Sequence, residues 1–249
     1  MRFKTLNEYI VYLRNWIYKE AKNAYKSGVI IGISGGIDSA CCLALCSQIK
    51  NIKIKNYYID IDSNKKNKRF LLELEKKFKV KINSINATNI YKNLIKLLKI
   101  REKKSLINIK PRLRMLILYA IAQQNNLLVI GTLNADEIYT GYFTKYGDNL
   151  SDLSPLANLT KNEIYKISKL LNVPISIIKR KPSADLYPRQ NDESELKVSY
   201  SEIDLFLKNI PIKKNSKKRL LNLNKANKHK ITGSKKPLPY RKIKSNNYL

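Results

Sequence analysis

The fold is decided by the stretch Val29-Ile30-Ile31-Gly32-Ile33-Ser34-Gly35-Gly36-Ile37-Asp38-Ser39-Ala40. It begins with a short, β-branched apolar run after Gly28, which predicts a buried strand. After Ser-Gly-Gly an apolar segment resumes over residues 37–45, which predicts a helix buried from its first turn. A strand, a glycine turn and a helix N-terminus in succession form an anion-binding geometry. Glycine permits positive φ and close approach, and the first N–H groups of the helix point at the ligand.

Two common phosphate loops are excluded at this turn. The spacing fits neither Gly-x-x-x-x-Gly-Lys-Ser/Thr nor Gly-x-Gly-x-x-Gly. Asp38 places a carboxylate where phosphate oxygens would lie, which is favourable if a divalent cation lies between the two anions. The alternative is that Asp38 is only a first-turn acid that stabilises the helix dipole.

The rest of the chain alternates between strand and helix patterns. Strand patterns occupy residues 52–59, 78–85 and 127–132. Helix patterns occupy residues 6–21, 70–74, 91–98, 115–122, 163–171, 203–207 and 220–223. Pro111 is placed at the start of the fourth of these helices and Thr160 caps the fifth. The alternation predicts an α/β fold with a Rossmann-like parallel sheet, helices on both faces, and Ser34, Asp60 and Thr132 at one sheet edge.

Composition limits the protein class. We expect the 249 residues to form a single domain, with an N-terminal helix within residues 1–27 and a basic, mobile tail over residues 228–249. No run of eighteen apolar residues and no apolar signal core occurs, so we expect a cytoplasmic protein without membrane association. Cys41, Cys42 and Cys46 fall on one predicted helix and are interpreted as small core residues in a reducing compartment, with metal binding as the alternative.

The charge balance is strongly basic. Lys and Arg number 49 against 19 Asp and Glu, giving a formal net charge of +30. Such an excess can mark a nucleic-acid binder. Here the lysines are spread along the chain together with many Asn and Ile, a pattern that A/T-rich codon usage also produces. We therefore do not expect a nucleic-acid partner.

The Ser-Gly-Gly-Ile-Asp-Ser string resembles the pyrophosphate loop of the ATP pyrophosphatase superfamily, whose fold is adenine nucleotide alpha hydrolase-like. Further strings resemble the ordered motifs of NAD synthetase: Pro111-Arg112-Leu113-Arg114-Met115, Gly131-Thr132, Gly141-Tyr142-Phe143-Thr144-Lys145-Tyr146-Gly147-Asp148, Lys181-Pro182-Ser183-Ala184 and Asp192-Glu193-Ser194-Glu195-Leu196. The Tyr-Phe-Thr-Lys-Tyr-Gly-Asp string is the most specific of these.

The resemblance implies roles for individual residues. ATP would be bound by Gly32, Ile33, Ser34, Gly35, Gly36, Ile37, Asp38, Ser39, Thr132, Lys161 and Ser183. Mg²⁺ would be held by Asp38 and Glu137. Deamido-NAD would be contacted by Arg112, Lys145, Asp152, His229 and Lys230. Asp38, Lys145 and Lys161 would be catalytic.

Each role has a simpler alternative. Arg112 could be a solvated residue at a helix start, although an arginine there opposes the dipole and favours an anionic ligand. Glu137 could be a surface acid, and His229 could be an exposed residue of a polar tail. Lys145 and Lys161 are distinguished from the other lysines only by their motifs.

The resemblance also implies a reaction. The nicotinate carboxylate of deamido-NAD would attack the α-phosphorus of ATP and expel pyrophosphate, and ammonia would then displace AMP to give NAD. We expect ammonia as the donor because only about thirty residues precede the glycine turn, too few for a glutamine-hydrolysing domain. The family is dimeric, so we expect a homodimer with the substrate site at its interface.

Two positions depart from the family pattern. The family's apolar-Pro-Ser string is replaced by Ile59-Asp60-Ile61-Asp62-Ser63, and Ile231 replaces an arginine after His-Lys. The family's adenine contacts are therefore not carried over to the first segment. A tRNA-modifying adenylating enzyme of the same superfamily and a nucleotide binder without activity are the alternative functions.

Overall fold

A computed structural model describes residues 3–62, 67–180 and 192–232. Four strands form one parallel sheet: β1 (Gly28–Gly32), β2 (Lys53–Asp60), β3 (Ile82–Asn86) and β4 (Leu127–Ile130). The described helices are α1 (Leu6–Asn23), α2 (Ile37–Cys46), α3 (Asn67–Phe78), α4 (Thr88–Leu98), α5 (Lys103–Asn125), α6 (Ala135–Thr140), α7 (Lys161–Leu170), α8 (Ile175–Ile178), α9 (Asp192–Leu196), α10 (Tyr200–Leu207) and α11 (Lys214–Ile231).

The sheet order places a crevice beside β1. The strands run β3-β2-β1-β4, so the chain moves outward in one direction through β2 and β3 and then crosses to the other side of β1. In open parallel sheets the carboxyl ends on either side of such a reversal leave room for a ligand. The glycine turn, residues 34–36, follows β1, and Thr132 follows β4, so both lie at this switch point.

The two faces of the sheet bury separate cores. Along β1, Val29 and Ile31 pack with α1, α2 and α7, whereas Ile30 packs against residues of α4 and α5 on the opposite face. Alternate side chains of a strand point to opposite faces. All three are fully buried, which explains why β1 reads as a continuous apolar run. The predicted α/β fold with helices on both faces is therefore confirmed.

The helix that carries Arg112 begins earlier than its sequence suggests. Pro111 is predicted at a helix start, but α5 begins at Lys103, where the Glu102 side chain accepts hydrogen bonds from the first-turn N–H groups. Pro111 lies inside this 23-residue helix. That prediction is wrong, and the dipole argument for Arg112 fails with it, because Arg112 lies in the middle of the helix.

Other boundaries also differ from the predictions. Residue 78 ends α3, so the third strand begins only at Ile82. Helices α6, α8 and α9 have no counterpart among the predicted elements. The basic tail is expected from Lys228, but α11 continues to Ile231 and includes that residue. Residues 233–249 lie outside the described residues.

The cysteines occupy the core as predicted. Cys41, Cys42 and Cys46 are free thiols with no exposed surface, and burial raises the pKa of Cys41 and Cys46 to about 12. Thiols in such surroundings are unreactive. Across residues 3–62, 67–180 and 192–232, no helix combines the length and apolar character needed to cross a membrane.

Candidate functional site

A cavity of about 240 Å³ opens at the switch point between β1 and β4. Ser34 lines it from the end of β1 and Thr132 from the end of β4, as their predicted positions require. Asp60 ends β2 at the same sheet edge, but it is not among the described residues that line the cavity. The predicted ATP-binding residues on the wall are Gly32, Ile33, Ser34, Gly36, Ile37, Asp38, Ser39, Thr132 and Lys161.

The glycine turn has the backbone geometry that the sequence predicts. Gly35 has φ +83°, in the left-handed region that side chains disfavour. Two serines fix the turn internally: the Ser39 hydroxyl donates to the Gly36 carbonyl at 3.0 Å, and the Gly36 N–H donates to Ser34 Oγ at 3.2 Å. Within the described part of the chain no side chain caps the N-terminus of α2, and residues 36–39 line the cavity, so an anion there would meet the first turn of this helix.

Asp38 is held by two buried partners. The Lys161 ammonium lies 2.6 Å from Asp38 Oδ2, and Asn134 Nδ2 donates to Oδ1 at 3.1 Å. Burial lowers the pKa of Lys161, but the carboxylates of Asp38 and Glu137 raise it by more, so the net shift of the Lys161 pKa is upward. The two predicted catalytic residues of the ATP site therefore contact each other directly.

Glu137 faces the same cavity from the first turn of α6. Its carboxylate accepts from the Asn134 N–H while its own N–H donates to Asn134 Oδ1, which forms a capping box. Burial raises the pKa of Glu137 well above its usual value, and the negative charge of Asp38 raises it further. A cation between the two carboxylates would favour the charged form of Glu137.

The donor set at this point suits a hard cation. Asp38 and Glu137 supply carboxylate oxygens, the ligands that Mg²⁺ prefers, and phosphate oxygens would complete the shell. Among the described residues no cluster of three or more His, Cys, Asp or Glu side chains could hold a metal ion by itself. The residues therefore fit a metal that arrives with a nucleotide rather than one held in an all-protein site.

A second group of predicted residues, here called the cationic cluster, comprises Arg112, Lys145, His229 and Lys230. Arg112 Nε donates to the Lys145 carbonyl at 3.1 Å, and Lys145 Nζ donates to the His229 carbonyl at 2.7 Å. Lys230 Nζ donates to the Gly141 carbonyl at 2.9 Å. Four residues predicted to contact the same ligand thus meet from α5, the loop after α6 and α11.

One loop joins the cationic cluster to the cavity. Over residues 141–148 it places Tyr142, Thr144 and Asp148 on the cavity wall and Lys145 at the cluster. Burial raises the pKa of Asp148 to about 6, even though the Thr144 N–H donates to its carboxylate and Lys230 and Arg114 lie near enough to lower that pKa. The loop therefore lies between the cavity and the cationic cluster.

Asp152 is placed differently from the other predicted substrate residues. Its Oδ2 accepts from the Val129 N–H at 2.7 Å and its Oδ1 accepts from the Tyr119 hydroxyl at 3.3 Å. Tyr119 follows Arg112 by two helical turns on α5, so both lie on one side of that helix.

Ser183, which is predicted to bind ATP, lies outside the described residues.

Several cavity residues were not identified from the sequence. Asn134 caps α6 and donates to Asp38. The sequence carries a signal for this cap, because an asparagine followed three residues later by Glu137 is a capping-box pattern. Arg114, Arg180 and Asp192 also line the cavity. Arg114 and Asp192 lie within the quoted motif strings, although no role is assigned to them there, whereas Arg180 precedes its string and is one cation among many in a basic chain.

Comparisons with known proteins identify the family of this chain. The family model described as NAD synthase matches residues 9–239. The NH(3)-dependent NAD(+) synthetase of Malacoplasma penetrans is 44% identical over 88% of this chain and 89% of its own length.

Two solved structures are similar over almost the whole chain. NMN synthetase from Francisella tularensis is 34% identical with a TM-score of 0.90, covering 94% of this chain and 99% of that one. The NH3-dependent NAD synthetase from Campylobacter jejuni is 28% identical with a TM-score of 0.78, covering 95% and 100%. Because the family model matches most of the length of this chain, the chain belongs to the NAD synthase family.

Proposed function

We propose that the protein is a ligase that makes NAD from deamido-NAD, ATP and ammonia. The observation that carries this proposal is the switch-point cavity, in which a glycine turn and an uncapped helix N-terminus meet the Asp38–Lys161 pair. The turn suits the triphosphate of ATP, and the cationic cluster beside it suits a dinucleotide that carries phosphates of its own. Family membership and the NH3-dependent relatives support the same assignment.

The chemistry needs positioning more than it needs a protein nucleophile. The nicotinate carboxylate is ionised at neutral pH and attacks the α-phosphorus of ATP, which releases pyrophosphate and forms an adenylate. Ammonia then attacks the activated carbonyl and releases AMP. In this scheme Lys161 and the N–H groups of the α2 first turn hold the phosphates, while Arg112, Lys145, His229 and Lys230 hold deamido-NAD. Thr132, and Ser183 by resemblance alone, complete the ATP contacts.

Asp38 and Glu137 are the proposed ligands of Mg²⁺. When bound, the ion would neutralise phosphate charge and orient the triphosphate. The pair fits this role because both residues line the cavity, and because burial together with the charge of Asp38 raises the pKa of Glu137. Lys161 supplies the countercharge to Asp38 in the protein described here.

A second candidate differs only in the nucleotide that is amidated. The structure with a TM-score of 0.90 is that of an NMN synthetase, which favours nicotinate mononucleotide as the acid substrate. The mononucleotide lacks the adenylate half of deamido-NAD and would need fewer contacts from the cationic cluster. Ile231, where the family pattern has arginine, is compatible with such a smaller substrate.

We propose a homodimer that forms through α4 and α5. Exposed apolar side chains follow one stripe of α4 at Ile90, Leu97 and Leu98, and Leu116 projects from the neighbouring α5. Exposed apolar patches of this kind favour protein contacts. Leu116 lies one helical turn from Arg112, so this face adjoins the cationic cluster.

The three buried thiols are compatible with the cytoplasm, which we propose as the location.

One assay tests the function and the alternatives together. Purified protein is incubated with ATP, Mg²⁺ and ammonium, with deamido-NAD in one reaction and nicotinate mononucleotide in another, and AMP, pyrophosphate and the amide product are measured. We expect all three products in equal amounts with deamido-NAD. A larger kcat/KM for the mononucleotide would favour the second candidate. ADP as product, or pyrophosphate release that depends on added tRNA, would contradict the proposal.

A further inference from the structure

Arg180 lies against the glycine turn and lines the cavity, although the sequence analysis gives this residue no role. Its Nη1 donates to the Gly35 carbonyl at 3.1 Å, and its guanidinium carbon lies 5.0 Å from the centre of the Phe70 ring. The side chain lines the cavity together with Asp38 and Lys161. Because a backbone carbonyl and an aromatic face both contact the guanidinium, its orientation is set before any ligand binds.

The charge inventory of the cavity explains why another cation is useful there. Lys161 lies 2.6 Å from Asp38, so much of its charge is offset by that carboxylate. Arg114 lines the cavity from α5, where its Nε donates to the Ile59 carbonyl at 3.1 Å. The glycine turn and the α2 N-terminus provide only partial positive charge. A triphosphate carries several full negative charges, and a guanidinium is the side chain best matched to pairs of phosphate oxygens.

The position of Arg180 indicates which phosphates it meets. Phe70 packs on the face of the sheet that holds α1 and α2, whereas α5, which carries Arg112, covers the opposite face. In an in-line displacement the attacking and leaving oxygens lie on opposite sides of the phosphorus. If the nicotinate carboxylate approaches from the cationic cluster, the leaving group lies on the side of Arg180.

We propose that Arg180 binds the β- and γ-phosphates of ATP and stabilises the departing pyrophosphate. This inference rests on the proposed function. In the step concerned, a bond forms between the nicotinate oxygen and the α-phosphorus. The bond from that phosphorus to the oxygen bridging the β-phosphate breaks, and its electron pair stays on pyrophosphate. Negative charge grows on pyrophosphate during the step, so a fixed guanidinium beside it lowers the barrier.

A purely structural role for Arg180 makes a different prediction. If the side chain only clamps Gly35 against Phe70, its loss loosens the turn. A loosened turn binds ATP, AMP and pyrophosphate less well and lowers the unfolding temperature. If Arg180 binds pyrophosphate, its loss affects ligands that contain the β- and γ-phosphates and spares AMP.

The test compares product inhibition in three variants, R180Q, R180K and the control K179Q. Lys179 is the exposed neighbour of Arg180, so K179Q removes the same charge without entering the cavity. For each protein we would measure the KM for ATP, the inhibition constants of inorganic pyrophosphate and of AMP, and the unfolding temperature. R180K keeps the positive charge but loses the planar guanidinium with its paired N–H donors. It therefore remains informative if R180Q folds poorly.

We expect R180Q to weaken inhibition by pyrophosphate roughly ten- to a hundredfold, the range for a lost charge-assisted hydrogen bond. Inhibition by AMP should not change, R180K should lie between R180Q and the natural protein, and K179Q should match the natural protein. Unchanged pyrophosphate inhibition in R180Q, or an equal loss for AMP, would overturn the inference while leaving the proposed function intact. Absence of AMP and pyrophosphate with the natural protein would instead refute the function.

Discussion

The Lys161 ammonium and the Asp38 carboxylate lie 2.6 Å apart although 123 positions separate them in the chain. Lys161 opens α7 and is 3% exposed, while Asp38 lies in the first turn of α2 and is 19% exposed. Each is proposed to bind a different part of the Mg²⁺–ATP complex. The two side chains neutralise each other, so the Asp38 carboxylate and the Lys161 ammonium form an ion pair within a cavity that suits a charged ligand.

This pairing predicts coupled effects on stability. K161M should lower the free energy of unfolding by about 3 kcal/mol, because it leaves Asp38 and Glu137 facing each other without a cation. D38N should cost less, since Glu137 still offsets Lys161. The double variant D38N/K161M removes both charges and should be more stable than K161M alone.

Urea unfolding of the three variants measures this coupling, and pyrophosphate release measures activity in parallel. All three should fail to release pyrophosphate, because each lacks a proposed ligand of ATP or Mg²⁺. Strictly additive stability changes would show that the two charges do not interact. Full activity in D38N would refute the proposed metal role of Asp38.

The sequence predicts the centre of the fold better than its periphery. β1, the glycine turn and α2 follow from an apolar run, two glycines and a second apolar run, which are local signals. Helix α11 is different, because its sequence is rich in Lys and Asn and predicts only a short weak helix. It extends over 18 residues: Leu220 is fully buried in an apolar cluster within the predicted segment, and beyond that segment Asn224 and Asn227 donate to the carbonyls of Tyr139 and Thr140. Contacts of that kind leave no periodic pattern.

Pro111 illustrates a second limit of local rules. A proline is most common in the first turn of a helix, so placing it there was reasonable. In the structure the Glu102 side chain caps the helix two turns earlier. Helix α5 therefore starts at its own cap and continues through Pro111, which the local sequence around the proline does not reveal.

The candidate site shows the same division. Sequence motifs predict the candidate binding residues one at a time, including Asp38, Lys161 and the residues of the cationic cluster. They do not indicate that Arg112, Lys145 and His229 join through backbone carbonyls, nor that Arg180 reaches Gly35. These relationships depend on how distant elements pack, and only three-dimensional structure provides them.

A second prediction concerns the carboxylate that joins two tyrosines. Asp192 is 4% exposed and accepts from the Tyr142 hydroxyl at 3.2 Å and from the Tyr200 hydroxyl at 3.1 Å. The Tyr200 ring lies 5.3 Å from the Lys161 ammonium, so this bridge supports the wall behind the Asp38–Lys161 pair. Y200F should lower the free energy of unfolding by about 1 to 3 kcal/mol, because it removes a hydrogen bond to a buried carboxylate.

Y25F is the matched control for Y200F. Tyr25 is almost fully exposed, so losing its hydroxyl should change stability by less than about 0.5 kcal/mol. Thermal or urea unfolding distinguishes the two variants. Equal stability of Y200F and the natural protein would show that the Asp192 bridge does not hold this wall.

A third prediction tests the proposed dimer face. Leu97 on α4 is 77% exposed and Leu116 on α5 is 67% exposed. L97E should shift the protein from dimer to monomer, because a buried unpaired carboxylate opposes association. It should also raise the KM for deamido-NAD, since this face adjoins the cationic cluster through α5. L72E is the control, because Leu72 on α3 is 65% exposed and lies outside the proposed interface.

Size-exclusion chromatography with light scattering measures the change in association. A natural protein that is monomeric at assay concentration, yet fully active, would contradict the proposal that the substrate site depends on the interface. Dissociation caused equally by L72E would place the contact elsewhere.

A fourth prediction concerns the pH dependence of stability. Asp136 is fully buried; its Oδ2 accepts from the Lys161 N–H at 3.1 Å, while its Oδ1 has no hydrogen-bond partner among the described residues. Burial is the main cause that raises its pKa to about 7. Between about pH 4 and 7 the folded protein therefore holds a proton that the unfolded chain releases.

The stabilising contribution of Asp136 is complete below about pH 4 and is lost as the pH rises through about 7. D136N cannot ionise, so its stability relative to the natural protein should increase across this range, by at most about 4 kcal/mol. Unfolding free energies of both proteins from pH 5 to 8 give this difference. D204N is the control: burial opposes ionisation of Asp204, but hydrogen bonds from Asn162 and Lys208 lower its pKa, so its difference curve should be flat over that interval. A flat curve for D136N as well would show that Asp136 is ionised throughout, with its charge compensated inside the fold.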